Sequence, residues 1–218
     1  MKRIPEPELM LNEEQVRAYA AGDFSKPHNR FVQLLSDFYP EIEGYVLDLG
    51  CGAADVSIRF ARAFPRCIVH GLDGSPAMLK FGNRAISREH LDDRVELLCR
   101  CLPVEELPVS KYDAVISNSL LHHLKNPQIL WQTVEHVANL GAPVFVMDLI
   151  RPQSEDQARK LIQTYAAYEP EVLQQDFYNS LVAAYRLNEV RAQLQQAEMN
   201  RLQVRSVSDR HFIVYGRL

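Results

Sequence analysis

Val46-Leu47-Asp48-Leu49-Gly50-Cys51-Gly52 is an apolar run that ends in a carboxylate and two closely spaced glycines, with a helical pattern beginning directly afterwards at Ala54. Glycines let a chain turn sharply and approach a ligand closely, and a helix start offers unpaired N–H groups. A Gly-x-Gly pair alone is weak evidence. Asp73 strengthens it by closing the next apolar run, roughly 20 residues on, where a carboxylate can accept hydrogen bonds from two ribose hydroxyls. Strand, glycine turn, helix, strand and acid together open a parallel α/β sheet.

The same rhythm continues outward to residue 150. Near-continuous Val/Ile/Leu runs, the mark of strands buried on both faces, predict strands at 45–49, 67–72, 95–101, 114–117 and 143–149. Apolar residues at helical spacing predict helices at 54–64, 76–88 and 127–140, with Ser75 as N-cap and Pro76 at the first helical position. Further runs at 202–207 and 212–215 flank the short Ser208-Asp209-Arg210-His211 connection, which permits only antiparallel pairing. The expected fold is α/β: a seven-stranded, mostly parallel sheet with helices on both faces and an antiparallel terminal hairpin. Residues 1–40, with helical patterns at 13–21 and 29–39, and residues 153–199, with three predicted helices, are lid insertions on one domain spanning 1–218.

Composition excludes several classes. With 24 basic and 28 acidic residues, a formal charge of -4 and no dense Lys/Arg run, the chain lacks the counterion-release term that drives nucleic-acid binding. No apolar run approaches the roughly 20 residues that span a bilayer, and the acids and prolines of the first 14 residues are unlike a secretory signal. A cytoplasmic protein is expected. Cys51, Cys67, Cys99 and Cys101 have neither CxxC spacing nor histidines in zinc register, so they are predicted to be reduced structural thiols and no metal is expected. Cys99 and Cys101 would share one strand face.

Four stretches, VLDLGCGAAD (46–55), VHGLDGSPAML (69–79), VEELP (104–108) and YDAVISNSLLHHLKNP (112–127), resemble the class I S-adenosylmethionine-dependent methyltransferase family, in particular its small-molecule branch related to quinone-biosynthesis enzymes. That resemblance implies a Rossmann-like sheet and S-adenosylmethionine as cofactor. A nicotinamide dehydrogenase would more usually continue as GxGxxG, whereas Ala53, Ala54 and Asp55 follow Gly52. Carried over by residue, it implies that Gly50, Cys51 and Gly52 line the cofactor's methionine part, that Asp48 buttresses their loop, and that Asp73 holds the ribose. Gly74, Ser75 and Met78 would lie beside ribose and adenine, Met78 as a ring cover or as core. The polar side chain that family members place against adenine is absent at Leu102-Pro103, which leaves the backbone around Leu102. Tyr19, in AYAAGDF, falls in the segment that closes over the cofactor in related enzymes.

At the end of the fourth strand, Asn118 and Ser119 are expected on the cofactor's methionine portion; the competing role for Asn118 is closing the turn. His122 and His123 are candidate general bases, expected to point in different directions with His123 toward the pocket; packing and capping are the alternatives. NSLL in place of the Asn/Asp-Pro-Pro-aromatic run argues against amide nitrogen as acceptor. Asp148 and Arg151, at the end of the fifth strand, are substrate candidates or a salt bridge to a lid helix. Tyr165 and Tyr178, with Tyr168, Phe177 and Tyr185, either wall an apolar acceptor pocket or form the cap's own core. The expected function is methyl transfer to a small-molecule acceptor, by a monomer or a homodimer. An RNA or protein methyltransferase and a non-catalytic cofactor-binding module are the alternatives.

Overall fold

A computed structural model describes residues 1–6, Val16, Tyr19, 22–104 and 106–218. The helix expected at 13–21 lies outside the described residues except for Val16 and Tyr19, both helical, and Glu105 of the VEELP run lies outside them as well.

The helix α1 (Ser25–Phe38) leads into β1 (Gly44–Leu49), and α2 (Asp55–Ala63), β2 (Cys67–Asp73), α3 (Pro76–Arg88) and β3 (Val95–Cys99) follow. Next come β4 (Ala114–Asn118), a single 3-10 turn at Leu121–His123, α4 (Gln128–Val137) and β5 (Pro143–Leu149). Three cap helices, α5 (Glu155–Tyr165), α6 (Glu171–Ala183) and α7 (Leu187–Gln196), precede β6 (Gln203–Ser206) and β7 (His211–Arg217). The strands form one seven-stranded sheet in the order β3-β2-β1-β4-β5-β7-β6. β1 to β5 pair in parallel, while β7 runs antiparallel between β5 and β6, pairing Pro143 with Arg217 and Leu149 with His211. The Rossmann-like sheet with its terminal hairpin is therefore present.

Alternation within each strand sends side chains to both faces. Val46, Val69, Ile116, Phe145 and Ile213 pack on one face beneath α1, α2 and α3. Leu47, Leu72, Val115, Val146 and Phe212 pack on the other with Trp131 of α4 and Val190 of α7. A third, smaller cluster joins Leu149 to Ala158, Leu161, Leu181 and Ala184, so the cap has a core of its own. Ser75 caps α3 by accepting from the Met78 amide at 3.3 Å.

Two boundaries differ from expectation. β3 stops at Cys99 rather than 101, because its partner β2 ends at Asp73, the residue paired with Cys99. Cys101 therefore leaves the sheet, and both Cys99 and Cys101 are exposed, unlike the buried Cys51 and Cys67. The helix α4 ends at Val137 rather than near 140, where Ala138 turns to bridge Tyr112.

Candidate functional site

The site is assembled at the C-terminal edge of β1, β2 and β4, where three parallel strands stop and their loops splay apart. Gly50 and Gly52 adopt φ of 72° and 55°, the left-handed region that side chains resist. A Cβ on Gly50 would meet the Leu120 side chain at 2.8 Å, so this turn closes only with glycine. The amides of Gly50 and Cys51 both donate to the carbonyl of Leu72, at 2.8 and 3.1 Å, which ties the loop to the end of β2.

Asp73 sits at that end with both carboxylate oxygens held by main chain. The Gly52 amide donates to Oδ2 at 2.9 Å and the Ser75 amide to Oδ1 at 2.8 Å. Each oxygen keeps a further acceptor position. Burial raises the Asp73 pKa, and these amides oppose the shift. Asp48 lies beneath the loop, buried, and accepts from Ser57 Oγ at 2.6 Å. Burial, with the Asp73 charge adding to it, pushes Asp48 up to about 7. Met78 is buried, with its methyl group 3.2 Å from where a Cβ on Gly52 would lie. Leu102 packs against the core, and the Cys51 thiol is buried and held far from ionisation.

Asn118 ends β4 on the same edge. Its Oδ1 is buried and has no hydrogen-bond partner among the described residues, an arrangement that proteins rarely leave uncompensated. Ser119, with φ of 57°, donates its amide to the Met147 carbonyl and redirects the chain.

Groups that local sequence patterns do not reveal complete this edge. His28 Nδ1 lies 2.5 Å from Asp55 Oδ2, and Arg59 donates to the same oxygen at 2.8 Å. Burial would raise the Asp55 pKa, but His28 and Arg59 override it and hold Asp55 at about 2. Tyr19 stacks on Phe24 with ring centroids 4.6 Å apart, and Phe24 on His28 at 5.7 Å. Burial, with the Asp55 and Asp73 charges adding to it, raises the Tyr19 phenol to about 12. His211, at the start of β7, is kept neutral by burial and Arg210, with a pKa of about 4. The His28–Asp55 pairing spans 27 residues, beyond the reach of periodicity.

The histidine pair corrects an expectation. His122 and His123 do not diverge: their rings lie 4.3 Å apart and both turn toward Glu6. His122 is buried, with Nδ1 2.5 Å from Asp148 Oδ1. Burial would depress its pKa, but Asp148 and Glu6 override it and hold His122 at about 9, so the charged form is favoured near neutrality.

The substrate candidates also resolve. Asp148 is fully buried against His122 and faces no open space. Arg151 forms the lid-helix salt bridge, with Nη2 2.5 Å from Glu189 Oε1, and donates to the Ala184 carbonyl. It borders a cavity of about 490 Å³ with Gln153, Gln157, Leu161 and Arg186, none of them from the cofactor loop. Tyr165 is exposed, bonded to Asp209 and covered by Arg210. Tyr178 packs on the cap's own core, and Tyr185 donates to the Leu124 carbonyl. The aromatic residues are thus dispersed rather than gathered around one pocket.

Residues 47–144 match the family described as a methyltransferase domain. Over these residues the chain is similar to methyltransferase domains. It is 30% identical over 127 residues to the demethylmenaquinone methyltransferase of Porphyromonas gingivalis, covering 56% of this chain and 49% of the relative. It is 30% identical over 103 residues to the malonyl-[acyl-carrier protein] O-methyltransferase of Priestia megaterium, covering 47% and 35%. The chain thus spans about half the length, or less, of these curated relatives. Among solved structures, the plantazolicin methyltransferase BpumL, bound to a monoazolic desmethylPZN analog and SAH, superposes with a TM-score of 0.71 over 94% of this chain and 90% of its own. At 13% identity that likeness concerns the fold. No described helix is long and apolar enough to cross a membrane.

Proposed function

We propose that the chain transfers a methyl group from S-adenosylmethionine to a small-molecule acceptor. The observation that carries this reading is the Asp73 carboxylate, fixed by the Gly52 and Ser75 amides, on the same sheet edge as a buried Asn118 Oδ1 without a hydrogen-bond partner among the described residues. The residues fit the cofactor: Asp73 retains acceptor positions for a ribose diol, and Asn118 Oδ1 suits the donor of an α-ammonium group. S-adenosylmethionine supplies a sulfonium methyl that an acceptor lone pair attacks in line, the C–S electron pair passing to sulfur. The carboxylates of Asp73 and Asp55 favour a cation on this edge. Positioning supplies most of the rate, and acceptors that are already deprotonated need no base.

Two relatives are named for different acceptors, demethylmenaquinone and malonyl-acyl carrier protein, and they match 56% and 47% of this chain. Acceptor choice is therefore assigned to residues 1–40 and the 153–199 cap. All four cysteines are free thiols, which supports a reducing compartment, the cytoplasm.

Calorimetric titration with S-adenosylmethionine and S-adenosylhomocysteine, with NADH as control, tests this reading. The first two bind and NADH does not. Asp73→Asn weakens both by about 10–100-fold, the value of one or two charge-assisted hydrogen bonds. Unchanged affinity in the folded variant removes the assignment.

A further inference from the structure

Residues 1–6 form an arm laid across α6 and the loop after β4. The Ile4 amide donates to the Val182 carbonyl at 3.3 Å, and the Arg3 guanidinium donates to the carbonyls of Ala183, His122 and Leu124. This brings Glu6 against the histidine pair, with Oε1 3.3 Å from His122 Nε2 and 3.4 Å from His123 Nδ1. The ligand atoms of all three residues lie within 4.8 Å of one another. We propose that Glu6, His122 and His123 form a binding site for a divalent transition metal, zinc first among them, that fastens the arm to the loop after β4.

The donor set is two imidazoles and a carboxylate, the borderline ligands that zinc takes. Bonds of about 2.0–2.1 Å at tetrahedral angles set neighbouring ligand atoms ~3.3–3.4 Å apart, which both Glu6 separations match. Ordinary N–H···O bonds are shorter, about 2.7–3.2 Å. The outer shell is also built. Asp148 engages His122 Nδ1 at 2.5 Å, which fixes the ring and directs Nε2 toward the proposed ion, as in carboxylate–histidine–metal triads. Ser180 Oγ donates to Glu6 Oε1 at 3.1 Å and orients that carboxylate. The Glu6 and Asp148 charges together balance a dication. Three protein ligands leave one position open for water or an acceptor oxygen. The inference does not depend on the methyl-transfer reading, because its test measures metal.

The experiment treats the full chain with a chelator, removes the chelator, and titrates zinc against a chromophoric competitor and cobalt by visible absorption. One equivalent binds, cobalt gives the intense visible bands of a four-coordinate site, and zinc raises the thermal midpoint. Glu6→Gln and His123→Gln weaken zinc by more than the ~10–100-fold typical of losing an outer-shell partner, while His136→Gln on α4 does not. Both test residues are only partly buried, and circular dichroism in chelator checks that the variants fold. Absence of saturable binding at micromolar metal overturns the site. So does parental affinity in folded Glu6→Gln and His123→Gln.

Discussion

Asp48 and Asp73 place one buried and one partly buried carboxyl group around one glycine turn, and the sequence distinguishes them only by position: Asp48 lies inside a strand and Asp73 at a strand end. Their partners separate the roles. Asp48 faces Ser57 within the protein, whereas Asp73 faces amides of the cofactor loop. Burial raises Asp48 from the usual carboxylate range to about 7, so the folded chain binds this proton more tightly than the unfolded chain. Its contribution to stability is complete below the unfolded pKa and is lost as pH rises through about 7. Asp48→Asn therefore flattens the fall in thermal midpoint between about pH 4 and pH 7, measured against the parent. Asp55 has the opposite sign. Held at about 2, it adds stability above the unfolded pKa that is lost on acidification toward pH 2, and Asp55→Asn removes that acid limb.

At the scale of elements, the parallel strands and their helices were legible because each is written locally. Val/Ile/Leu runs mark β1, β2, β4 and β5, and Ser75-Pro76 marks the start of α3. The end of β3 was not, since it is set by where β2 stops rather than by residues 99–101. The same distinction governs the site: Gly50, Gly52 and Asp73 belong to one motif, while His28–Asp55 and Glu6–His122 depend on how distant segments meet. The arm is an element without secondary structure, held by main-chain acceptors that Arg3 reaches. Arg3→Ala frees it. Hydrogen exchange then shows lost protection at the Ile4 amide with β1 and β4 unchanged, because the arm opens independently of the sheet.

For the whole molecule, β7 joins the halves. Ile213 points into the core under α1 and Phe212 into the core with Trp131, so one strand contributes to both faces. Phe212 is fully buried, and Phe212→Ala destabilises the fold by about 3–5 kcal/mol, the range for emptying a buried aromatic site. Urea titration followed by fluorescence of the sole tryptophan, Trp131, which is packed in the same cluster, measures the loss.

The place of β7 also bears on how the chain is made. A ribosome delivers β5 more than sixty residues before β7, the strand that covers its edge. Until residues 211–217 emerge, the nascent sheet presents a row of unpaired amides and carbonyls on a strand whose side chains are all apolar except Asp148. That interval is when the polypeptide is most exposed to mispairing with a neighbour. Chains released before β7 should partition into aggregates, and chaperone demand should fall once the last strand slots in beside β5.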